Sequence, residues 1–215
     1  MTKALPVRVF HFLNEEFGLK DLTERRLKIA RIAELNDPFE FLGVDLSDRN
    51  FRRAMKATKE TLSKSKGLLC FSKNWQNPVL WGHYAEKHRG ICLGFDMPHV
   101  PPTKVDYVKT RIPKPQVFDE AFMKKLLLTK FIHWAYEEEY RAYVSLEEEV
   151  EGLYYADFSD SLVLRQVIVG DQSRLTRRQI SAVLGDLNAR VEVFKARAAF
   201  TSFDVVRNKD DSLWT

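Results

Sequence analysis

The stretch NPVLWGHYAEKHRGICLGFD, residues 77–96, contains the clearest structural signals in the chain. Asn77 is a favourable N-cap, and Pro78 suits the first position of a helix. Gly90 is a typical stop just after the basic residue Arg89. The apolar run ICLGFD that follows predicts a buried strand. This segment therefore predicts a helix that leads directly into a core strand.

The predicted helix carries an unusual number of aromatic and basic side chains. Trp81, Tyr84 and His88 follow a spacing of three and then four residues, which is simplest to interpret as core packing against a sheet. His83 and Arg89 allow two interpretations. They are either ordinary surface residues, with Arg89 offsetting the helix dipole, or they face a cleft beside the strand.

Outward from this segment, strands and helices are interspersed without the regular crossover helices of a doubly wound sheet. Strands are predicted at VRVFHF (7–12), LLCFS (68–72), EYRAYVSL (139–146) and LRQVIVG (164–170), and amphipathic helices within 47–67 and 175–189. We expect an α+β fold in which helices flank a mixed or mostly antiparallel sheet, either continuous or split. One domain is expected over residues 1–207, with a loose tail at 208–215.

Composition limits the class of protein. The chain has 215 residues, 45% of them hydrophobic, and a formal net charge of +4, so its surface is mixed rather than dominated by basic groups. Cys70 and Cys92 lie inside apolar runs, where a reduced, buried thiol is usual. No segment approaches the roughly 20 apolar residues of a membrane span, and no signal-peptide pattern opens the chain. We expect a cytoplasmic protein without a membrane partner.

Several common motifs are missing from the sequence: Gly-rich phosphate loops, paired CxxC, Gly-x-Ser-x-Gly and HExxH. His83 and His88 are five residues apart, which places them on different faces of a helix. We therefore expect no metal site.

The segment WAYEEEYRAYV (134–144) is the main candidate for chemistry. Alternation along a strand would put Glu137 and Glu139 on one side, where mutual repulsion raises one pKa unless a cation such as Arg141 or His11 lies between them. Such a pair suits a reaction that develops positive charge on a sugar. The alternatives are a solvated turn for the glutamates and a hydrogen-bonded structural role for His11.

Taken in order, VFHF, LNDPFEF, LLCFSKNWQNPVLWGHYAEKHRGICLGFD, WAYEEEYRAYV and LRQVIVGD resemble a widespread bacterial family of unknown function. The likeness covers roughly residues 7–200 and includes Asn36 in the Asn-Asp-Pro-Phe corner and Ser72 in the Cys-Phe-Ser strand. The resemblance implies a role in phage-defence loci, where some members look like components.

The order His11, Tyr84, Glu139 also resembles ADP-ribosyltransferase folds of the His-Tyr-Glu kind, with Glu137 completing a Glu-x-Glu pair. The resemblance implies that NAD is a substrate, that the His contacts its ribose, that the aromatic ring stacks on nicotinamide, and that the Glu holds a ribose hydroxyl. The catalytic residues expected from it are Glu139, Glu137 and His11. The expected ligand-binding residues are Tyr84, His83, Ser72, Trp81, Arg89, Arg141 and Asn36.

Two hypotheses follow, with a third as an alternative. The first is an NAD-using ADP-ribosyltransferase or NAD glycohydrolase, active in phage defence or a toxin–antitoxin system. The second is a non-catalytic sensor or antitoxin-like partner with a ligand pocket. The third, nucleic-acid processing, is prompted by the basic helix RNFRRAMKATKETLSKSK, residues 49–66, although such a helix is usually a solvated face. The expected partners are a small nucleotide ligand and a protein or nucleic-acid target.

Overall fold

The computed structural model describes residues 7–210, 212 and 214. Its helices are α1 (Glu15–Glu24), α2 (Arg49–Ser65), α3 (Pro78–Tyr84), α4 (Glu120–Leu127) and α5 (Arg177–Leu184). Its strands are β1 (Arg8–Leu13), β2 (Arg26–Arg31), β3 (Lys66–Ser72), β4 (Ile91–Asp96), β5 (Thr103–Lys104), β6 (Asp106–Val108), β7 (Thr129–Phe131), β8 (Glu139–Ser145), β9 (Glu149–Val150), β10 (Leu153–Asp157), β11 (Val163–Val169), β12 (Glu192–Ala198) and β13 (Val205–Arg207).

The chain divides into two compact units. Unit 1 comprises Met1–Leu27, Phe71–Pro101 and Ala156–Thr215, and unit 2 comprises Lys28–Cys70 and Pro102–Tyr155. The fold is mixed α and β with mostly antiparallel strands, which confirms that part of the expectation. Nothing in this division decides whether residues 1–207 act as one domain, so that statement stays a prediction.

In unit 1 the strand order is β13-β12-β11-β4-β1, and only the β11–β12 pair is parallel among these strands. All six residues of β4 are buried, because this strand lies between β1 and β11. Trp81 of α3 has no exposed surface and packs in the core cluster with Phe10, Cys92 and Ile168. The segment 77–96 thus supplies both the central strand of unit 1 and a helix that covers it.

The predicted boundaries of α3 are only half correct. Asn77 caps the helix by accepting a hydrogen bond from the Val79 amide at 2.9 Å, as expected. The helix ends at Tyr84 rather than at Arg89, because Glu86, Lys87 and His88 adopt left-handed backbone conformations with φ of 49°, 55° and 69°. Residues 86–88 therefore form a left-handed turn between helix and strand.

Close backbone contacts hold this turn in place. A Cβ on Gly90 would lie 2.0 Å from the Leu13 carbonyl oxygen, and one on Gly170 would lie 2.2 Å from the His88 carbonyl oxygen. Glycine is required at both positions because no side chain fits between the two backbones.

Unit 2 has its own core, built on α2, α4 and the strands around them. Ile32, Phe41, Val44, Met55 and Leu126 are at most 1% exposed and pack together. Strand β8 pairs with β3 and antiparallel with β5, whereas the small β6–β7 pair is parallel. This arrangement carries the segment 134–144 into the interior of the unit.

Two further observations bear on the sequence predictions. In the described residues no helix is both long enough and apolar enough to cross a membrane.

Trp214, in the segment expected to be loose, is 5% exposed and donates its indole N–H to the Leu175 carbonyl at 2.7 Å. Residues 211, 213 and 215 of that segment lie outside the described part of the chain.

Candidate functional site

Residues 137–139 do not form the regular strand that the alternation in the sequence predicts. Glu137 is the last residue of a 3-10 helix, Ile132–Glu137, and Glu139 is the first residue of β8. Between them Glu138 is left-handed, with φ of 44°. This turn at Glu138, rather than a regular strand, directs the carboxylates of Glu137 and Glu139 toward the same cation.

That cation is Lys130, on β7. Its ammonium group donates to Glu137 Oε2 at 2.5 Å and to Glu139 Oε2 at 3.1 Å, and it lies 4.7 Å from the centre of the Trp134 ring. Lys130, Glu137 and Glu139 are each less than 10% exposed. The expectation of a cation between the two glutamates is therefore met by a residue that the sequence analysis did not select.

Arg141 completes the buried cluster. Its guanidinium donates to both oxygens of Glu139, at 2.8 and 3.0 Å, and to both oxygens of Glu40, at 2.5 and 2.8 Å. It also donates to the Leu127 carbonyl at 2.6 Å. Two cations thus face three carboxylates, all held by charge-assisted hydrogen bonds.

The charges control the ionisation of these groups. Burial by itself raises the pKa of Glu139, but the charge and hydrogen bonds of Arg141, together with Lys130, more than offset it and hold that pKa below its ordinary value. Burial alone lowers the pKa of Lys130, but Glu139 and Glu137 raise it well above the ordinary value for lysine. At neutral pH Glu139 is an anion and Lys130 a cation.

A phenol and a thiol lie near the cluster. The Tyr107 hydroxyl accepts a hydrogen bond from the Glu139 amide at 2.8 Å, and burial raises the pKa of Tyr107 to about 12. Burial and the nearby Glu139 charge raise the pKa of Cys70 well above its ordinary value. The raised pKa makes Cys70, which is partly buried, a poor nucleophile.

Lys130 also lines a cavity of about 260 Å³ that lies within unit 2. The cavity combines aromatic rings, cations, hydroxyls, an acid and aliphatic groups: Phe39, Phe131, Lys109, Arg111, Lys130, Thr110, Thr129, Asp37, Gly43 and Val108. The Arg111 guanidinium lies 5.2 Å from the centre of the Phe39 ring, and His133 stacks on Phe131 at 4.6 Å. The cavity therefore offers flat apolar faces next to positive charge.

The corner LNDPFEF forms one wall of this cavity and anchors the cluster. Asp37 Oδ1 accepts a hydrogen bond from the Phe39 amide at 2.9 Å, which closes the turn around Pro38. Asp37 and Phe39 line the cavity, and Glu40 binds Arg141. Asn36, selected from the sequence, is exposed, and its neighbour Asp37 is the residue that reaches the cavity.

The other residues expected at the site belong to unit 1. His11 lies on β1, partly buried, with its ring edge-on to Phe71 at 5.9 Å. Ser72, 5% exposed, both donates to and accepts from the Asn74 backbone, at 3.0 Å in each case. Both contacts are of the kind that stabilise a strand and the turn after it.

The residues of α3 and the following turn divide into core and surface. Trp81 is fully buried and donates its indole N–H to the Trp75 carbonyl at 2.6 Å. His83 is exposed and lies edge-on to the partly buried Tyr84, with the ring centres 6.1 Å apart. Arg89 is exposed and lines a shallow cleft of about 660 Å³ together with Glu86 and Arg174. The core role of Trp81 is therefore what its helical spacing predicts.

Of the expected site residues, the structure brings Glu137, Glu139 and Arg141 together in unit 2. Lys130 and Glu40 were not predicted from the sequence, although each carries a recognisable signal. Lys130 is the single charge within the apolar run 126–132, and Glu40 lies between two phenylalanines. Long charged residues in such positions are seldom buried unless they are paired.

Comparison with known proteins does not assign this chain to a family. No protein-family model, no curated protein and no solved structure matches this chain. In the described residues no group of three or more His, Cys, Asp or Glu side chains is arranged to hold a metal ion. The likenesses to a bacterial family and to ADP-ribosyltransferases stay predictions.

Proposed function

We propose that this protein binds a nucleotide in the cavity of unit 2 and acts as a nucleotide sensor. The observation that carries the proposal is the position of Lys130, which lines the cavity and at the same time binds Glu137 and Glu139. A negatively charged ligand that approaches Lys130 competes with Glu137 and Glu139 for its ammonium group. Occupancy of the cavity can therefore be transmitted to β8.

The chemistry of the walls supports a ligand with a flat ring and a negative group. Phe39 and Phe131 are 50% and 41% exposed although Arg111 and His133 lie against their rings, so part of each aromatic side chain remains accessible to a ligand. Lys109 and Arg111 are exposed cations on the same cavity, and an arginine fork matches the geometry of a phosphate. The cavity volume of about 260 Å³ lies just below the range of about 300–1,000 Å³ that is usual for small-molecule sites, which favours one nucleotide rather than a whole dinucleotide.

The test is a binding measurement on the intact chain. AMP, ADP-ribose, NAD and nicotinamide are titrated by calorimetry and by thermal shift. We expect a phosphate-bearing ligand to bind, and the double variant Lys109→Ala/Arg111→Ala to weaken binding by about tenfold or more. Lys104→Ala is the matched control, since Lys104 is an exposed cation of the same unit on β5 that does not line the cavity. Absence of nucleotide binding, or equal loss in the control, contradicts the proposal.

A second candidate is an NAD-consuming ADP-ribosyltransferase or glycohydrolase on an ADP-ribosyltransferase-like fold. It is favoured by the pair Glu137 and Glu139, since a fixed carboxylate stabilises positive charge that develops on a sugar. It ranks second because both oxygens of Glu139 already accept hydrogen bonds from Arg141, and one also from Lys130. Glu139 is also only 4% exposed, so the side chains around it have to move before a ribose hydroxyl can reach its carboxylate.

Nicotinamide release from NAD, measured by chromatography, distinguishes the two candidates. An enzyme loses turnover in Glu139→Gln far more than in Glu40→Gln. The second variant disturbs the same Arg141 but leaves the Glu139 carboxylate intact. Equal turnover in both variants, or no nicotinamide release by the wild type under conditions where nucleotide binds, argues against catalysis by Glu139.

A further inference from the structure

The turn between β12 and β13, in unit 1, exposes two aromatic rings almost completely. Phe200 is 89% exposed and Phe203 is 98% exposed. Single exposed apolar residues are common on protein surfaces, but two large rings three residues apart at one tip are not. These rings contribute little to the core, so packing within the unit does not explain them.

The tip is closed by short-range contacts that fix its shape. The Ala199 amide donates to the Asp204 carbonyl at 2.9 Å, which leaves residues 200–203 as a four-residue tip. The Val205 amide donates to the Gln76 carbonyl at 2.8 Å and thereby attaches the base of the tip to the loop before α3. These two hydrogen bonds anchor the backbone at the base of the tip, so both rings project from the same short turn.

Basic residues outnumber acidic ones near the tip. Residues 195–209 contain four cations, Lys195, Arg197, Arg207 and Lys209, against one carboxylate, Asp204. Of these cations, Arg207 is paired with Glu192, and Lys195 donates to the Ser173 carbonyl. The Arg197 guanidinium lies 4.1 Å from the centre of the Phe200 ring. The tip therefore combines exposed π faces with a local excess of positive charge.

We infer that this tip binds single-stranded nucleic acid. Aromatic rings stack on unpaired bases of any sequence, and nearby cations contact the phosphates. A purely apolar partner gains nothing from the excess of basic residues, whereas a polyanion with flat bases uses both features. The inference is independent of the nucleotide cavity, because the tip lies in unit 1 and the cavity in unit 2.

The experiment measures fluorescence anisotropy of a labelled 20-nucleotide poly(U) or poly(dT) strand with the full chain. We expect the double variant Phe200→Ala/Phe203→Ala to bind at least about tenfold more weakly than the wild type. Phe17→Ala is the matched control, since Phe17 is 53% exposed on α1 of the same unit. Arg197→Gln should make the slope of log affinity against log salt concentration shallower by about one, which corresponds to the loss of one phosphate contact.

Several results overturn the inference. One is oligonucleotide binding that is equally strong in the wild type and the double Phe variant. Another is a protein that does not bind the oligonucleotide but uses the tip for a different interaction. Co-sedimentation with phosphatidylserine vesicles, or dimerisation in light scattering, would reveal such an interaction if the double Phe variant abolishes it. Because both rings are exposed, the double variant should keep the wild-type melting temperature, and this confirms that a loss of binding is local.

Discussion

The guanidinium of Arg141 binds the carboxylate of Glu40 through two hydrogen bonds of 2.5 and 2.8 Å, across 101 positions of sequence. Both side chains are about 1% exposed. The pair joins the Asn-Asp-Pro-Phe corner to β8 within unit 2. It therefore links one wall of the cavity to the carboxylates Glu137 and Glu139.

Glu40→Ala should destabilise the protein by about 3–5 kcal/mol, because it removes one partner of a buried ion pair and leaves part of the Arg141 charge uncompensated. Urea denaturation checks this free energy of unfolding. Asp48→Asn gives the comparison, since the Lys114–Asp48 pair is nearly half exposed, although Asp48 also caps α2. We expect a much smaller loss there, because the pair is exposed to solvent and asparagine is also a good N-cap. Equal losses in the two variants would contradict the importance of the buried pair.

Gly90→Ala should be strongly destabilising, since its Cβ would lie 2.0 Å from the Leu13 carbonyl oxygen and the backbone has to move. Gly82→Ala is the matched control. Gly82 is inside α3 with no atom within 4 Å of an added Cβ, so alanine should stabilise the helix by up to about 1 kcal/mol. Thermal unfolding of the two variants should therefore shift in opposite directions. A Gly90→Ala protein as stable as the wild type would show that the close approach to Leu13 is not needed.

Trp81→Ala should cost about 3–5 kcal/mol, because it empties a fully buried position in the core of unit 1. His83→Ala, two residues later on the exposed side of α3, should change the free energy of unfolding by no more than about 0.5 kcal/mol. Chemical denaturation of both variants measures the difference. Comparable destabilisation would mean that His83 has a structural role.

Asp21 should make stability depend on pH between about 4 and 7. Burial, and then the nearby charge of Glu24, raise the pKa of Asp21 from 3.8 to about 7 in the folded protein. The folded state then binds a proton more tightly than the unfolded state, so this contribution to stability is complete below pH 4 and is lost as the pH rises through 7. Asp21→Asn should raise the melting temperature at pH 8 and reduce the decline between pH 4 and 7. A pH profile unchanged by Asp21→Asn, or changed equally by the exposed Glu16→Gln, would contradict this assignment.

Local structure could be predicted from the sequence where each signal is local. Asn77 caps α3 and Asp48 caps α2. The strands Lys66–Ser72, Ile91–Asp96 and Val163–Val169 overlap the predicted runs 68–72, 91–96 and 164–170. The strand β10 was not predicted, because the segment 153–157 is short and has no long apolar run, although a turn at Glu151 and Gly152 precedes it. The end of α3 was misplaced because the left-handed turn at residues 86–88 depends on the backbones of Leu13 and Gly170.

The α+β class with a mixed or mostly antiparallel sheet, the N-cap of α3 and the buried strand at 91–96 can be read from the sequence. Hydrophobic periodicity and capping chemistry are properties of neighbouring residues, and they act wherever the chain places them. The tertiary fold, in contrast, brings Lys130 and Arg141 to Glu137 and Glu139, and it places Asp37 rather than Asn36 at the cavity. The charge state of a buried carboxylate depends on which cations the fold brings within hydrogen-bonding distance, and residues as remote as Glu40 take part in that choice.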